Sequence, residues 1–290
     1  MSKRLRQLRG KVNARPHFRA IAIAAALFVI FAAGCNANDG QNAGSDQSSK
    51  GPGSAQDLPQ GAEPVSLDPK DFTTRIDNPY WPMDPGKRWT YREVDEQGVE
   101  LKVVVTVSDQ TQKIANGVTA RVVRDTVTED GELIEDTFDW YAQDKEGNIW
   151  YLGENTAEFD KGKLVTKEGS FEAGVDGALP GIIMPADPKD GMQYRQEYYK
   201  GKAEDNGEVL STNEMAQVPA GQFDNALLTK DTITIEPNVL EYKLYAKGIG
   251  PVLTLGVSGG PVGHEDLISV DTASQKETQQ AGTAPLGSAR

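Results

Sequence analysis

Short runs of alternating apolar and polar residues, rich in Val, Thr, Ile and Tyr and bounded by Gly, Asn, Asp and Pro, fill the chain from about residue 88 to residue 270. A period of two sends successive side chains to opposite faces, the pattern of a strand and not of a helix. It predicts strands at 88–94, 100–107, 118–128, 133–143, 148–152, 193–200, 209–218, 226–235, 240–245, 252–257 and 265–270. Asn116-Gly117 and Asp130-Gly131 tolerate positive φ and therefore predict two-residue hairpin turns. Residues 169–191, with three prolines and five glycines, read as a long loop over the sheet or its end. The expected fold is all-β, a single antiparallel meander of about eleven strands. A sheet of that size does not stay flat, so it should curl into a barrel or half-barrel, with a β-sandwich as the alternative.

The N-terminus follows a different rule. Seven basic residues and no acid precede or punctuate the first 35 positions, and an apolar run of about 14 residues leads to Ala32-Ala33-Gly34-Cys35. This is the basic, apolar and small-residue order of an export signal. The run is short of the ~20 residues that a membrane-spanning helix needs. Its end resembles the bacterial lipobox, with Ala32 where that motif usually has Leu. The resemblance implies removal of residues 1–34 and diacylglycerol on Cys35, hence a lipid-anchored, extracytoplasmic protein. At ~0.8 kcal/mol per buried methylene, two or more acyl chains hold where one is marginal. Cys35 is the only cysteine, so the core must do without a disulfide.

Residues 36–65 are mostly Asn, Gly, Ser, Gln and Pro and bury nothing, so 35–65 reads as a lipidated N-terminus and flexible linker. About 30 such residues span roughly 30 Å as a coil. Residues 66–272 form one β-rich domain in this reading, and 273–290, again polar, a disordered tail. From Cys35 onward 23 basic residues face 43 acidic ones, a net charge of −20. Such a surface repels phosphate backbones and anionic headgroups, so no nucleic-acid partner is expected, and the membrane is met through the lipid alone. The oligomeric state is left open.

Catalytic motifs are weak. Gly256-Val257-Ser258-Gly259-Gly260 has the letters of a nucleophile elbow but lacks the following helix and the acid before His264, so it reads as a hairpin turn. No cofactor or metal is expected: His264 and Asp266 can share a strand face, yet no third ligand accompanies them. The sharpest constellation comes from counting across Asp130-Gly131. A regular two-residue turn opposes Val127 to Ile134, Asp125 to Asp136, Val123 to Phe138 and Arg121 to Trp140 on one inward face. Arg121, Asp125, Asp136 and Trp140 are therefore the ligand-binding candidates, lining a cavity. The alternative is a one-residue bulge after the turn, which shifts the register and puts the acids in water. Across the next turn, at 144–147, Trp140 is expected opposite Tyr151 and Tyr141 opposite Trp150.

Four segments, 78–92 (NPYWPMDPGKRWTYR), 139–153 (DWYAQDKEGNIWYLG), 218–223 (VPAGQF) and 245–253 (YAKGIGPVL), resemble exported bacterial β-sheet domains. The resemblance implies a compact β architecture and brings no catalytic residues. Three roles follow: a non-catalytic module binding a small or lipidic ligand in the concavity of the sheet, a structural or protein-interaction lipoprotein of the envelope, and a carboxylate-dependent hydrolase. The first is favoured.

Overall fold

The computed structural model describes residues 58–95, 98–259 and 263–288. The expected signal, Cys35 and the linker up to residue 57 lie outside them. In chain order the strands are β1 (Phe72–Thr73), β2 (Lys87–Asp95), β3 (Glu100–Lys113), β4 (Thr119–Glu129), β5 (Glu132–Asp144), β6 (Ile149–Asp160), β7 (Lys163–Thr166), β8 (Phe171–Glu172), β9 (Leu179–Met184), β10 (Gln193–Tyr199), β11 (Ala203–Val218), β12 (Gly221–Ile233), β13 (Glu236–Ala246), β14 (Gly250–Ser258) and β15 (Gly263–Thr272), followed by helix α1 (Gln275–Thr283).

Twelve strands close into an antiparallel barrel in the order β5-β4-β3-β2-β15-β14-β13-β12-β11-β10-β9-β6, with β6 returning to β5. The small strands β1, β7 and β8 attach to β5 and β6. The eleven strands expected from the period-two pattern are β2–β6 and β10–β15, and closure settles the choice between barrel and sandwich. The twelfth wall strand, β9, comes from the segment expected to be a loop. Its Pro180 and Gly181 imitate a turn, but Gly181 is required by packing: a Cβ there would lie 2.2 Å from the Gln196 carbonyl oxygen. Ile182, Ile183 and Met184 then bury themselves in the core.

A barrel's diameter grows with strand number, so twelve strands enclose a wider interior than the eight that side chains nearly fill. One end is closed by the segment ahead of β2. Asn78 donates to the carbonyls of Gly147 and Pro185 at 3.0 Å each, and Trp81 sits between Tyr141 and Tyr245 with ring centroids 5.8 Å from both. Below it Trp89, fully buried, donates to the Ile249 carbonyl at 2.9 Å.

The β4–β5 hairpin takes the bulged of the two registers considered. Asp130 (φ 50°) and Gly131 (φ 83°) do form a two-residue turn. Thr128 pairs with Leu133, but Val127 pairs with Glu135, so Ile134 is an extra, bulged residue. Beyond it Asp125 opposes Thr137, Thr126 opposes Asp136, and Val122 opposes Trp140. The bulge swaps the faces of β5: Glu135, Thr137 and Asp139 point inward, whereas Asp136 and Trp140 point outward. The next hairpin is also offset by one from expectation, with Tyr141 opposite Tyr151 and their rings stacked at 5.1 Å.

Both ends of the domain are more ordered than expected. The segment from residue 273, where composition predicts a disordered tail, carries α1. Ser274 caps it reciprocally with Glu277, and Glu277 also pairs with Arg88 at 3.1 Å. Few apolar residues mark this helix, so what holds it is polar. Arg124 makes a two-pronged ion pair with the fully buried Asp136 (2.7 and 2.6 Å) and donates to the carbonyls of Gln280, Ala284 and Pro285, while Gly287 N–H donates to Asp136 at 2.7 Å. At the other end, residues 58–65 of the expected linker lie along the wall, where Arg195 holds the carbonyls of Gly61 and Glu63 and Leu58 and Val65 pack on the core.

Candidate functional site

Which residues face the lumen follows from register. Along β2 the inward positions are Trp89, Tyr91 and Glu93; along β15, Glu265 and Leu267; along β13, Glu241, Lys243 and Tyr245. Continuing round the wall, every strand of the ring except β3, β9 and β14 contributes an inward carboxyl. Several are opposed like with like: Glu93 to Glu265, Asp139 to Glu154, Glu135 to Glu158, and Glu197 to Asp205. Like charges directly opposite one another destabilise a sheet. This belt is therefore a cost that burial of apolar area elsewhere has to cover.

Depth orders the lumen. At the plugged end are Trp81, Trp89, Tyr91, Tyr141, Tyr151 and Tyr245, all buried. Between the aromatics and the carboxyls of Asp125 and Asp139 lies a cavity of about 20 Å³, room for roughly one water. The belt comes next. Toward the hairpin end that carries Asp130-Gly131, exposure rises: Glu135 and Glu158 are half-buried and the Glu241 side chain is 21% exposed. That end is the mouth.

Among the described residues the belt has one cation. Lys243 places its ammonium 2.8 Å from Asp231 and 3.6 Å from Glu241. Burial alone would lower its pKa, but those two carboxylates hold it well above the usual lysine range. Elsewhere burial drives the carboxyls the other way. Glu93 is pushed up to about 8 by burial and by Glu241, and Glu135 to about 8 by burial and by Glu158. Asp139 rises to about 7 through burial, and Asp205 to about 6 for the same reason. Burial, with neighbouring carboxylates, also raises Asp125, Glu154, Glu197 and Glu265 well above the ordinary range.

Geometry calls for an extra proton around Tyr151. Tyr151 Oη lies 2.9 Å from Asp139 Oδ1 and 3.0 Å from Glu154 Oε2. A phenol has one proton and can donate to only one of them, so the other carboxyl must bring its own. Burial beside Asp139 and Glu135 raises Glu154 well above the ordinary range, which favours Glu154 as the carboxyl that keeps its proton. A chain results in which Glu154 donates to Tyr151 and Tyr151 to Asp139. Glu197, 2% exposed, meets no protein donor and faces Asp205 across the β10–β11 pair. Burial beside Asp205 raises the Glu197 carboxyl well above the ordinary range, the direction that favours its neutral form.

A neutral isostere should relieve the cost. Glu93→Gln is expected to raise stability at pH 8 by on the order of 2 kcal/mol, because the folded state no longer has to recapture a proton that the unfolded chain has lost. At pH 5, where Glu93 is protonated in the native state, the gain should shrink to a few tenths. Thermal unfolding at the two pH values reads this directly, and an equal effect at both would mean that Glu93 does not titrate in the lumen.

Of the four residues read as ligand-binding candidates, the structure places one in the belt. Asp125 points inward, with Oδ1 meeting no donor. Arg121 closes the barrel end, donating to the carbonyls of Thr74, Ser108 and Gln110 at 3.3 Å. Asp136 lies outside with Arg124, and Trp140 packs on the outer wall, 3.1 Å from where a Cβ on Gly153 would stand. Sequence reasoning does not single out Asp139, Glu154, Glu197 or Glu265. Their signal is present as carboxylates recurring at every second position of strands, but it looks like a solvated face. Among the described residues no group of three or more His, Asp or Glu side chains could hold a metal ion. Ser258, the last residue of β14, donates its hydroxyl to the Asn238 carbonyl of β13 at 2.8 Å, a bond that ties the two strands together.

No family model matches the chain, and no curated protein matches it. Among solved structures, one from Bacteroides fragilis, described as an exported protein with a YmcC-like fold, is 17% identical and covers 67% of this chain and 99% of that one at a TM-score of 0.41. One from Parabacteroides distasonis, described as a lipoprotein, is 12% identical and covers 66% and 98% at a TM-score of 0.35. Likeness at this level carries no argument about the role of the present chain.

Proposed function

We propose that the protein is an exported, lipid-anchored envelope protein whose barrel lumen is the seat of a small ligand, held without chemistry being done on it. The observation that carries the lumen reading is the belt. Buried carboxyls opposed in pairs, several with an oxygen that meets no donor, are expensive to keep and are concentrated where a ligand would enter. The anchor rests on the basic start, the apolar run and the lipobox-like end at Cys35. A lipid ligand fits poorly in a lumen whose open half is acidic and whose apolar half is filled by aromatics. A polymer-cleaving hydrolase fits poorly because the far end is closed and a chain cannot pass through.

Native mass spectrometry of the full chain extracted from membranes tests both parts. The intact mass should begin at Cys35 with its acyl groups, and a small molecule should dissociate from the wild type but be missing from Thr254→Trp, which fills the lumen beside Glu265. A chain that starts elsewhere would overturn the anchor. A wild type and a variant of equal occupancy would overturn the lumen.

A further inference from the structure

We propose that the ligand of the lumen is an organic polyammonium ion, an unbranched amine with two or more positive charges, whose nitrogens lie between the opposed carboxyls of the belt toward its mouth. This deepens the lumen reading and rests on it. The chain itself carries an example of the interaction. Lys243 is a primary alkylammonium seated by this wall between Asp231 and Glu241, its stem running along the barrel interior. The Glu93–Glu265 pair offers the same arrangement without the cation: both are buried, and Oε2 of each meets no donor.

A second observation is independent of the acids. Tyr194 is 1% exposed and its phenol oxygen meets no partner. It lies near enough to Asp231 and Lys243 to feel both charges, an acceptor left open beside the one occupied ammonium position. A buried hydroxyl without a partner costs about 1–3 kcal/mol, which an incoming N–H would offset.

Spacing separates this class from its rivals. A hard metal ion needs several oxygens within about 2.6 Å of one point; neighbouring strands lie about 4.8 Å apart around the wall. Among the described residues no such cluster exists. An amine with a charge every three or four methylenes repeats at about that strand spacing. An anion would meet many carboxyls and one lysine.

Binding should release protons. Glu265 is faced by Glu93 from β2, by Glu241 and Lys243 from β13, and through the lumen by Tyr91 and Asp125. In the empty lumen one carboxyl of such a pair keeps its proton; when an ammonium sits between the two, that proton passes to solvent and the amine stays charged.

Titration calorimetry of the full chain with spermidine at pH 8, in phosphate and again in Tris, reads both features. The expected result is saturable binding with different heats in the two buffers, weakened at least about tenfold by Glu265→Gln and less by Tyr194→Phe. Melting curves confirm that each variant is folded, and Glu93→Gln replaces Glu265→Gln if it is not. Equal heats, or displacement of spermidine by an equal concentration of Mg²⁺, would overturn the inference by reducing it to diffuse attraction. If spermidine fails while mass spectrometry finds an uncharged molecule in the lumen, the class is wrong and the lumen reading stands. If neither binds, both fall.

Discussion

Acidifying the protein from pH 8 to pH 5 should stabilise it. Most domains are most stable somewhere in this range and lose stability as their carboxylates are protonated. Here the lumen reverses the sign. Glu93 and Glu135 are raised to about 8, Asp139 to about 7 and Asp205 to about 6, each chiefly by burial. Between about pH 4, where these groups titrate when unfolded, and their native values, the folded chain binds more protons than the unfolded one. Stability must then fall as pH rises. Each tenfold gain in proton affinity on folding corresponds to about 1.4 kcal/mol, but neighbouring carboxyls relieve one another when one is protonated, so the contributions do not add. A net loss on the order of 5 kcal/mol from pH 5 to pH 8 is a reasonable scale, roughly 10–20 °C in melting temperature for a domain of this size. A melting temperature that is flat or rising across that interval would mean that the lumen is wetter than its burial implies.

Arg124→Ala is expected to be the most damaging single change outside the lumen. Asp136 has no exposed surface, and the guanidinium is both its counter-ion and the donor to the last carbonyls of the C-terminal segment. Removing one partner of a buried pair strands the other, at about 3–5 kcal/mol. The variant should melt about 10 °C lower and expose residues 275–288 to proteolysis before the barrel opens. The double replacement Arg124→Met with Asp136→Leu should recover much of the loss, because it leaves no charge behind. Failure of the double variant to recover would point to the carbonyl contacts, not the ion pair, as the main loss.

These two sites also mark where the sequence could and could not be read. The eleven strands and the Asp130-Gly131 turn were legible because period two and positive φ leave plain signatures. The bulge at Ile134 was legible only as one of two possible registers, since an extra residue leaves the alternation intact on either side and changes only which side is inside. The usual assumption that the apolar face points inward then chose wrongly. In β5 it is Phe138 and Trp140 that face out, Phe138 with the Arg124 guanidinium 5.1 Å from its ring centre, and it is Glu135, Thr137 and Asp139 that face in. A polar lumen inverts the binary pattern, and nothing local in the sequence announces it. Helix α1 escaped notice for a related reason: its buried residues are Thr278 and Ala281, too slight for an apolar stripe.

Arg195 has a mechanical consequence. Its guanidinium holds the Pro180 carbonyl of β9 and the carbonyls of Gly61 and Glu63, and its own N–H donates to Pro59. Strand β9 joins β10 through only two register pairs, making this the barrel's thinnest seam. Tension applied from the N-terminal side therefore arrives first at a side chain that also bridges this seam, so the load is shared between β9 and β10.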